Sequence, residues 1–113
     1  MQIDSLTKDP TIKSVVKHLA SKYGFDSFKL RDYWEGDLCA IGLSDIKEKH
    51  LIYISTFGKA ENHFFIELEN TKPDETDDFP YVSVGEYDNI SLDELENHFA
   101  QHLEIKSTTH NTR

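Results

Sequence analysis

The chain has 113 residues, of which 37% are hydrophobic and 12% aromatic, and this is enough to build the core of one domain. Acidic residues outnumber basic ones by 21 to 12, and the net charge of −9 argues against a protein that coats nucleic acid or anionic lipid. A single cysteine, Cys39, excludes an intramolecular disulfide framework and favours a reducing compartment. With no signal-peptide pattern and no apolar run of about 20 residues, we expect one cytoplasmic domain over 1–113, with 106–113 as a flexible tail.

The charge is unevenly distributed along the chain. Residues 1–60 contain 8 acidic and 9 basic side chains, whereas residues 61–113 contain 13 acidic and 3 basic side chains. The two parts therefore carry net charges of +1 and −10. If these carboxylates share a face, their field would speed encounters with a basic partner.

Helical signals stand near both ends of the chain. Asp9 and Pro10 form an N-cap and first-turn pair before apolar residues at helical spacing, and Gly24 supplies a stop, which predicts a helix over about 10–23. Ser91 and Glu94 have the spacing of a capping box, which predicts a second amphipathic helix ending near residue 103.

Between the helices, short apolar or alternating runs predict five strands. These are Ser27–Tyr33, Leu38–Ser44, Leu51–Thr56, His63–Glu69 and Tyr81–Tyr87. Short polar connections favour antiparallel neighbours, although the charged segment 70–80 is too long for a tight turn. The prediction is an α+β fold: a mainly antiparallel five-stranded sheet in the order α-β-β-β-β-β-α, with both helices packed on it.

The alternation within the last two strands predicts which side chains face the core. In the fourth strand, Phe64 and Ile66 point inward and Glu67 points outward. In the fifth strand, the same reasoning places Val82 and Val84 inward. One sheet face is therefore expected to be core and the other partly acidic.

Catalytic and metal-binding patterns are weak. Glu94, His98 and His102 follow one another at helical spacing, but Phe99 stands where the zinc-protease motif has its glutamate. The acidic loop over 74–78 lacks the EF-hand spacing, and Cys39 lies in an apolar run typical of a buried thiol. We therefore expect no enzyme activity, cofactor or metal, with a small carboxylate- or histidine-based metal-dependent hydrolase as the alternative.

Three segments together form a recognisable pattern: the strand pair 51–55 and 64–69, the acidic loop, and the closing helix in Ile90-Ser91-Leu92-Asp93-Glu94-Leu95-Glu96-Asn97-His98-Phe99. In these segments the sequence resembles the small immunity proteins of bacterial contact-dependent growth inhibition systems. The resemblance implies a cytoplasmic, non-enzymatic inhibitor that binds a toxin domain, commonly a basic nuclease (RNase), and blocks its substrate-binding site. Nucleic acid and membrane are not expected as direct partners.

Charge position selects the candidate contacts, because an acidic surface can take the place of the phosphates that a nuclease groove holds. Aromatic anchors beside an acidic rim would suit the same partner. The predicted partner-binding residues are Glu67, Glu69, Asp74, Glu75, Asp77, Asp78, Tyr81, Glu86, Tyr87 and Asp88. A nucleic-acid mimic or an adaptor for another basic protein fits the same pattern.

Overall fold

The computed structural model describes residues 3–31, 36–71 and 81–106. Its helices are α1 (Pro10–Tyr23) and α2 (Leu92–Leu103), and short 3-10 turns occupy Ile3–Ser5 and Phe25–Ser27. Its strands are β1 (Lys29–Leu30), β2 (Ala40–Ser44), β3 (His50–Ser55), β4 (His63–Thr71) and β5 (Tyr81–Ser91). No helix in these three ranges is both long enough and apolar enough to cross a membrane.

The five strands form one antiparallel sheet in the order β1-β2-β3-β4-β5, so every strand lies beside its sequence neighbours. This confirms the predicted α+β fold and its element order. The short loops after β2 and β3 favour this order, because each places a strand antiparallel beside the next one. β1 and β5 are therefore the two edges of the sheet.

Local capping signals determine where both helices begin. The Asp9 side chain accepts a hydrogen bond from the Thr11 amide at the start of α1. At the start of α2, the Glu94 amide donates to Ser91 Oγ and the Ser91 amide donates to Glu94 Oε1, which completes a capping box. Both starts agree with the sequence prediction.

Both helices cover the same face of the sheet, which we call the inner face. The inner side chains of β2, β3 and β4 join those of α1 and α2 in one buried cluster. Phe99 lies near its centre, with ring centroids 5.2 Å from Tyr23 and 5.3 Å from Phe28. The opposite face, which neither helix covers, is the outer face.

One charged cluster joins the two helices. Glu96 of α2 is buried and accepts hydrogen bonds from His18 Nε2 and from Lys22 Nζ, both on α1. Burial raises the pKa of Glu96, but these two donors outweigh it, and its pKa lies below the ordinary value. Glu96, one of the acids in the negatively charged segment 61–113, is thus paired with residues of the nearly neutral segment 1–60.

Three details differ from the predicted strands. β1 begins later than predicted, at Lys29, because Phe25–Ser27 form a 3-10 turn, and its predicted end at Tyr33 lies outside the described residues. β4 and β5 are both longer than predicted. The alternating pattern places Val82 and Val84 in the core, but both are exposed, since β5 is an edge strand whose register shifts next to Val84.

Candidate partner-binding surface

The outer face carries a row of residues that runs across four strands. In the sheet register Gly42 of β2 lies beside Tyr53 of β3, Tyr53 beside Glu67 of β4, and Glu67 beside Glu86 of β5. Because side chains alternate along a strand, Glu69 projects on the same face as Glu67. We call Glu67, Glu69 and Glu86 the acidic triplet.

The acidic triplet places like charges side by side. Glu67 and Glu86 are direct cross-strand partners, and residues in that relation have Cβ atoms about 5 Å apart. Like charges at this distance destabilise a sheet unless a cation neutralises them. Within the described ranges neither carboxylate has a hydrogen bond or an ion pair in the structure.

Glu69 is the most perturbed member of the triplet. It is only 5% exposed, and its Oε1 atom is buried without a hydrogen-bond partner. Burial, and to a lesser extent the nearby charge of Glu67, raise the pKa of Glu69 to about 7. Near neutral pH this carboxyl exchanges its proton readily, and an approaching cation would favour its ionised form.

Two aromatic side chains adjoin the triplet on the outer face. The rings of Tyr53 and Phe65 lie 6.1 Å apart in a T-shaped arrangement, and both are half-buried. Burial raises the pKa of the Tyr53 hydroxyl above its ordinary value, with a further contribution from the charges of Asp37, Glu67 and Glu69. The triplet is therefore flanked by an apolar surface of the kind that partner proteins contact.

Other predicted contacts lie elsewhere on β5. Asp88 is exposed but forms an ion pair with Lys59 at 2.5 Å, and this hydrogen bond lowers the pKa of Asp88. Tyr87 lies opposite Ile66 on the inner face, where its ring stacks on His98 at 4.1 Å between centroids. These two residues border the sheet edge and do not join the triplet.

Tyr81 differs from the exposed anchor that the sequence suggested. Its side chain is 3% exposed, and its hydroxyl donates to the backbone oxygen of Glu48 at 2.9 Å. This contact fixes the start of β5 to the turn between β2 and β3. Tyr81 is thus placed to hold the fold rather than to contact a partner.

The acidic loop over 74–78 connects β4 and β5 in the sequence. Its four predicted contact residues lie outside the described residues. They are Asp74, Glu75, Asp77 and Asp78.

Two exposed valines beside the triplet were missed by the sequence reasoning. Val82 is 47% and Val84 54% exposed, and both lie on β5 next to Glu86. No local pattern indicates their exposure, because it depends on β5 lying at the sheet edge and on the register shift next to Val84. The exposed surface of β5 is therefore part apolar, from Val82 and Val84, and part acidic, from Glu86.

The two histidines of α2 have structural partners. His102 Nε2 donates to the backbone oxygen of Glu69 at 2.9 Å, and the ring centroids of His102 and His50 lie 5.2 Å apart. Burial lowers the pKa of His102. Glu94 is engaged in the capping box, and within residues 3–31, 36–71 and 81–106 no three His, Cys, Asp or Glu side chains are grouped to hold a metal.

A cavity of about 490 Å³ lies between α1 and the β3–β4 loop. Val15, His18, Lys59 and Phe64 are among its lining residues. Because α1 forms one wall, the cavity is on the helix side of the sheet, away from the acidic triplet. Cys39 is half-buried and does not line it.

Comparisons with known proteins identify no relative. Neither the protein-family models, nor the curated proteins, nor the solved structures contain a match to this chain.

Proposed function

We propose that this protein binds and neutralises a basic toxin domain, of the nuclease class, in the cytoplasm. The observation that supports this most is the acidic triplet, in which Glu67 and Glu86 face each other without a neutralising cation and Glu69 is buried beside them. Such an arrangement lowers the stability of the free protein, and a basic partner would remove that penalty on binding.

The spacing of the triplet suits a surface that normally holds nucleic acid. Directly opposed residues such as Glu67 and Glu86 have Cβ atoms about 5 Å apart, and Glu67 and Glu69 are two residues, about 7 Å of backbone, apart along β4. A nuclease groove presents several Lys and Arg side chains to successive phosphates at comparable distances. Glu67 and Glu86 would engage those cations, with the buried Glu69 behind them adding to the negative field, and so cover the substrate-binding surface of the toxin.

Growth rescue in a bacterial host tests this function. The probe is the C-terminal domain encoded by the reading frame directly upstream of the gene for this chain, expressed from an inducible promoter. We expect the domain to arrest growth by itself and the chain, when co-expressed, to restore growth. Replacing both Glu67 and Glu86 with Lys should abolish the rescue.

Glu104→Lys supplies the matched control, because Glu104 is exposed just beyond α2 and the substitution reverses the same type of charge. It should rescue growth as well as the unmodified chain. Rescue by the Glu67/Glu86 double variant would contradict the proposed surface. A domain that arrests growth whether or not the chain is present would contradict the function, and would favour an adaptor or nucleic-acid mimic.

A further inference from the structure

We infer that the free edge of β5 accepts an extended basic strand of the partner, which continues the sheet as a sixth strand. This inference rests on the proposed function, since it specifies how the same partner is held. The acceptor segment is Val82–Tyr87, which includes Glu86 of the acidic triplet.

The first argument is the length and openness of this edge. β5 has 11 residues and pairs only with β4 among the described strands, whereas the opposite edge, β1, has two residues. In an antiparallel strand, about every second residue turns both its N–H and its C=O groups away from the existing neighbour. A segment of six residues therefore offers about three such positions over about 20 Å.

The second argument is the composition of the edge. Natural edge strands are commonly protected by charged side chains, especially lysine, by proline, by bulges or by a very short length. Tyr81–Ser91 contains neither Lys nor Pro, and its protection consists of the acids Glu86 and Asp88 and a register shift, which oppose another acidic edge and leave pairing with a basic strand open. What it contains instead is exposed valine and exposed acid. The register shift next to Val84 twists the edge, and Asn89, whose φ of 55° is left-handed, marks the end of the acceptor segment.

The third argument concerns the identity of the added strand. Glu86 projects on the outer face, so the residue that pairs with it there should be Arg or Lys. Val82 projects on the inner face, opposite Asn70, and favours an apolar neighbour. The partner segment thus alternates basic and apolar residues, the pattern expected when main-chain bonds give affinity and side chains give specificity.

A second copy of this chain fits the edge poorly. Antiparallel pairing of two β5 strands about Glu86 would bring the two Glu86 carboxylates together, on molecules that each carry a net charge of −9. The acids on β5 therefore select against self-pairing while they attract a basic strand.

The test uses the full chain labelled with ¹⁵N and three synthetic peptides of seven alternating Arg and Val residues, capped at both ends. One peptide is unmodified, one has N-methyl groups on its Arg amides, and one has them on its Val amides. In an added strand only one of these two sets of amides faces β5. Chemical shifts and amide exchange rates along Val82–Tyr87 report where each peptide binds.

We expect the unmodified peptide to slow amide exchange within Val82–Tyr87. One methylated peptide should bind like the unmodified peptide, and the other should bind at least tenfold more weakly. Glu86→Lys in the chain should weaken binding, and Glu104→Lys should not. No binding, equal binding of all three peptides, or shift changes confined to other surfaces would overturn the inference, because charge attraction alone does not distinguish backbone methylation.

Two further results separate this inference from the proposed function. If the toxin domain is neutralised while the β5 amides in that complex keep their exchange rates, the strand inference fails and the function stands. If the peptides pair with β5 but the chain does not rescue growth, the function fails and the edge remains a strand acceptor. Concentration-dependent protection of β5 without any peptide would indicate a second copy as the occupant and would overturn the inference.

Discussion

Replacing Glu69 with Gln should stabilise the protein at neutral and alkaline pH. The carboxyl of Glu69 is buried, its Oε1 has no hydrogen-bond partner, and its pKa is raised to about 7. The unfolded chain ionises this group near 4.5, whereas the folded chain retains the proton until about pH 7. Folding therefore favours the protonated form of the Glu69 carboxyl.

The sign and the size follow from proton linkage. A group with a raised folded-state pKa contributes its full share of stability below the unfolded pKa and loses that share as the pH rises through the folded pKa. Each pKa unit is worth about 1.4 kcal/mol, so a change from 4.5 to about 7 corresponds to about 3 kcal/mol. Because Gln does not ionise, the stability of the variant should not fall as the pH rises through 7 for this reason.

Urea unfolding at a series of pH values measures the effect. The difference in unfolding free energy between Glu69→Gln and the unmodified chain should be small near pH 4.5 and should reach about 3 kcal/mol in favour of the variant by pH 8. Glu104→Gln, at an exposed position, should show no such growth with pH. A constant difference across the series, or a variant that is less stable at pH 8, would refute the reasoning.

Three further predictions concern the helices. Ser91→Ala removes half of the capping box and should lower the unfolding free energy by about 1 kcal/mol in urea titrations. Glu96→Gln should cost about 2 kcal/mol at pH 7, and this difference should vanish on acidification through the lowered pKa of Glu96. His102→Gln should flatten the loss of stability that accompanies a fall in pH below about 6.5, because burial lowers the His102 pKa.

The helices and the strand order could be predicted because their signals are local. Asp9 and Ser91 cap their helices through residues two or three positions away, and the short loops after β2 and β3 place each strand beside the next. These interactions are encoded within a few residues of sequence. The predicted bounds of α1 agree with the structure for the same reason.

Features that depend on distant residues could not be predicted. Tyr81 is buried because its hydroxyl reaches the backbone of Glu48, 33 positions earlier. A register shift in β5 leaves Val84 exposed, and no alternating pattern indicates where such a shift occurs. The acids of the second half do not share one face, since Glu96 turns toward α1 and pairs with Lys22, 74 positions earlier.

The candidate surface was partly visible in the sequence. Alternation correctly placed Glu67 and Glu69 on the face opposite the core residues of β4. The pairing of Glu67 with Glu86 depends on the register of β4 and β5, which are joined by a long connection. The distribution of charge along the sequence does not indicate that register. The burial of Glu69 likewise depends on the folded sheet.

The association rate between this chain and the C-terminal domain encoded by the reading frame directly upstream tests the central claim most directly. Stopped-flow measurements between about 0.05 and 0.5 M salt would compare the unmodified chain, the Glu67→Lys/Glu86→Lys double variant and Glu104→Lys. If the acidic triplet attracts a basic partner, the rate of the unmodified chain should fall about tenfold or more with salt. The double variant should associate slowly at every salt concentration, and Glu104→Lys should resemble the unmodified chain. A rate that is independent of salt and unchanged in the double variant would contradict the account.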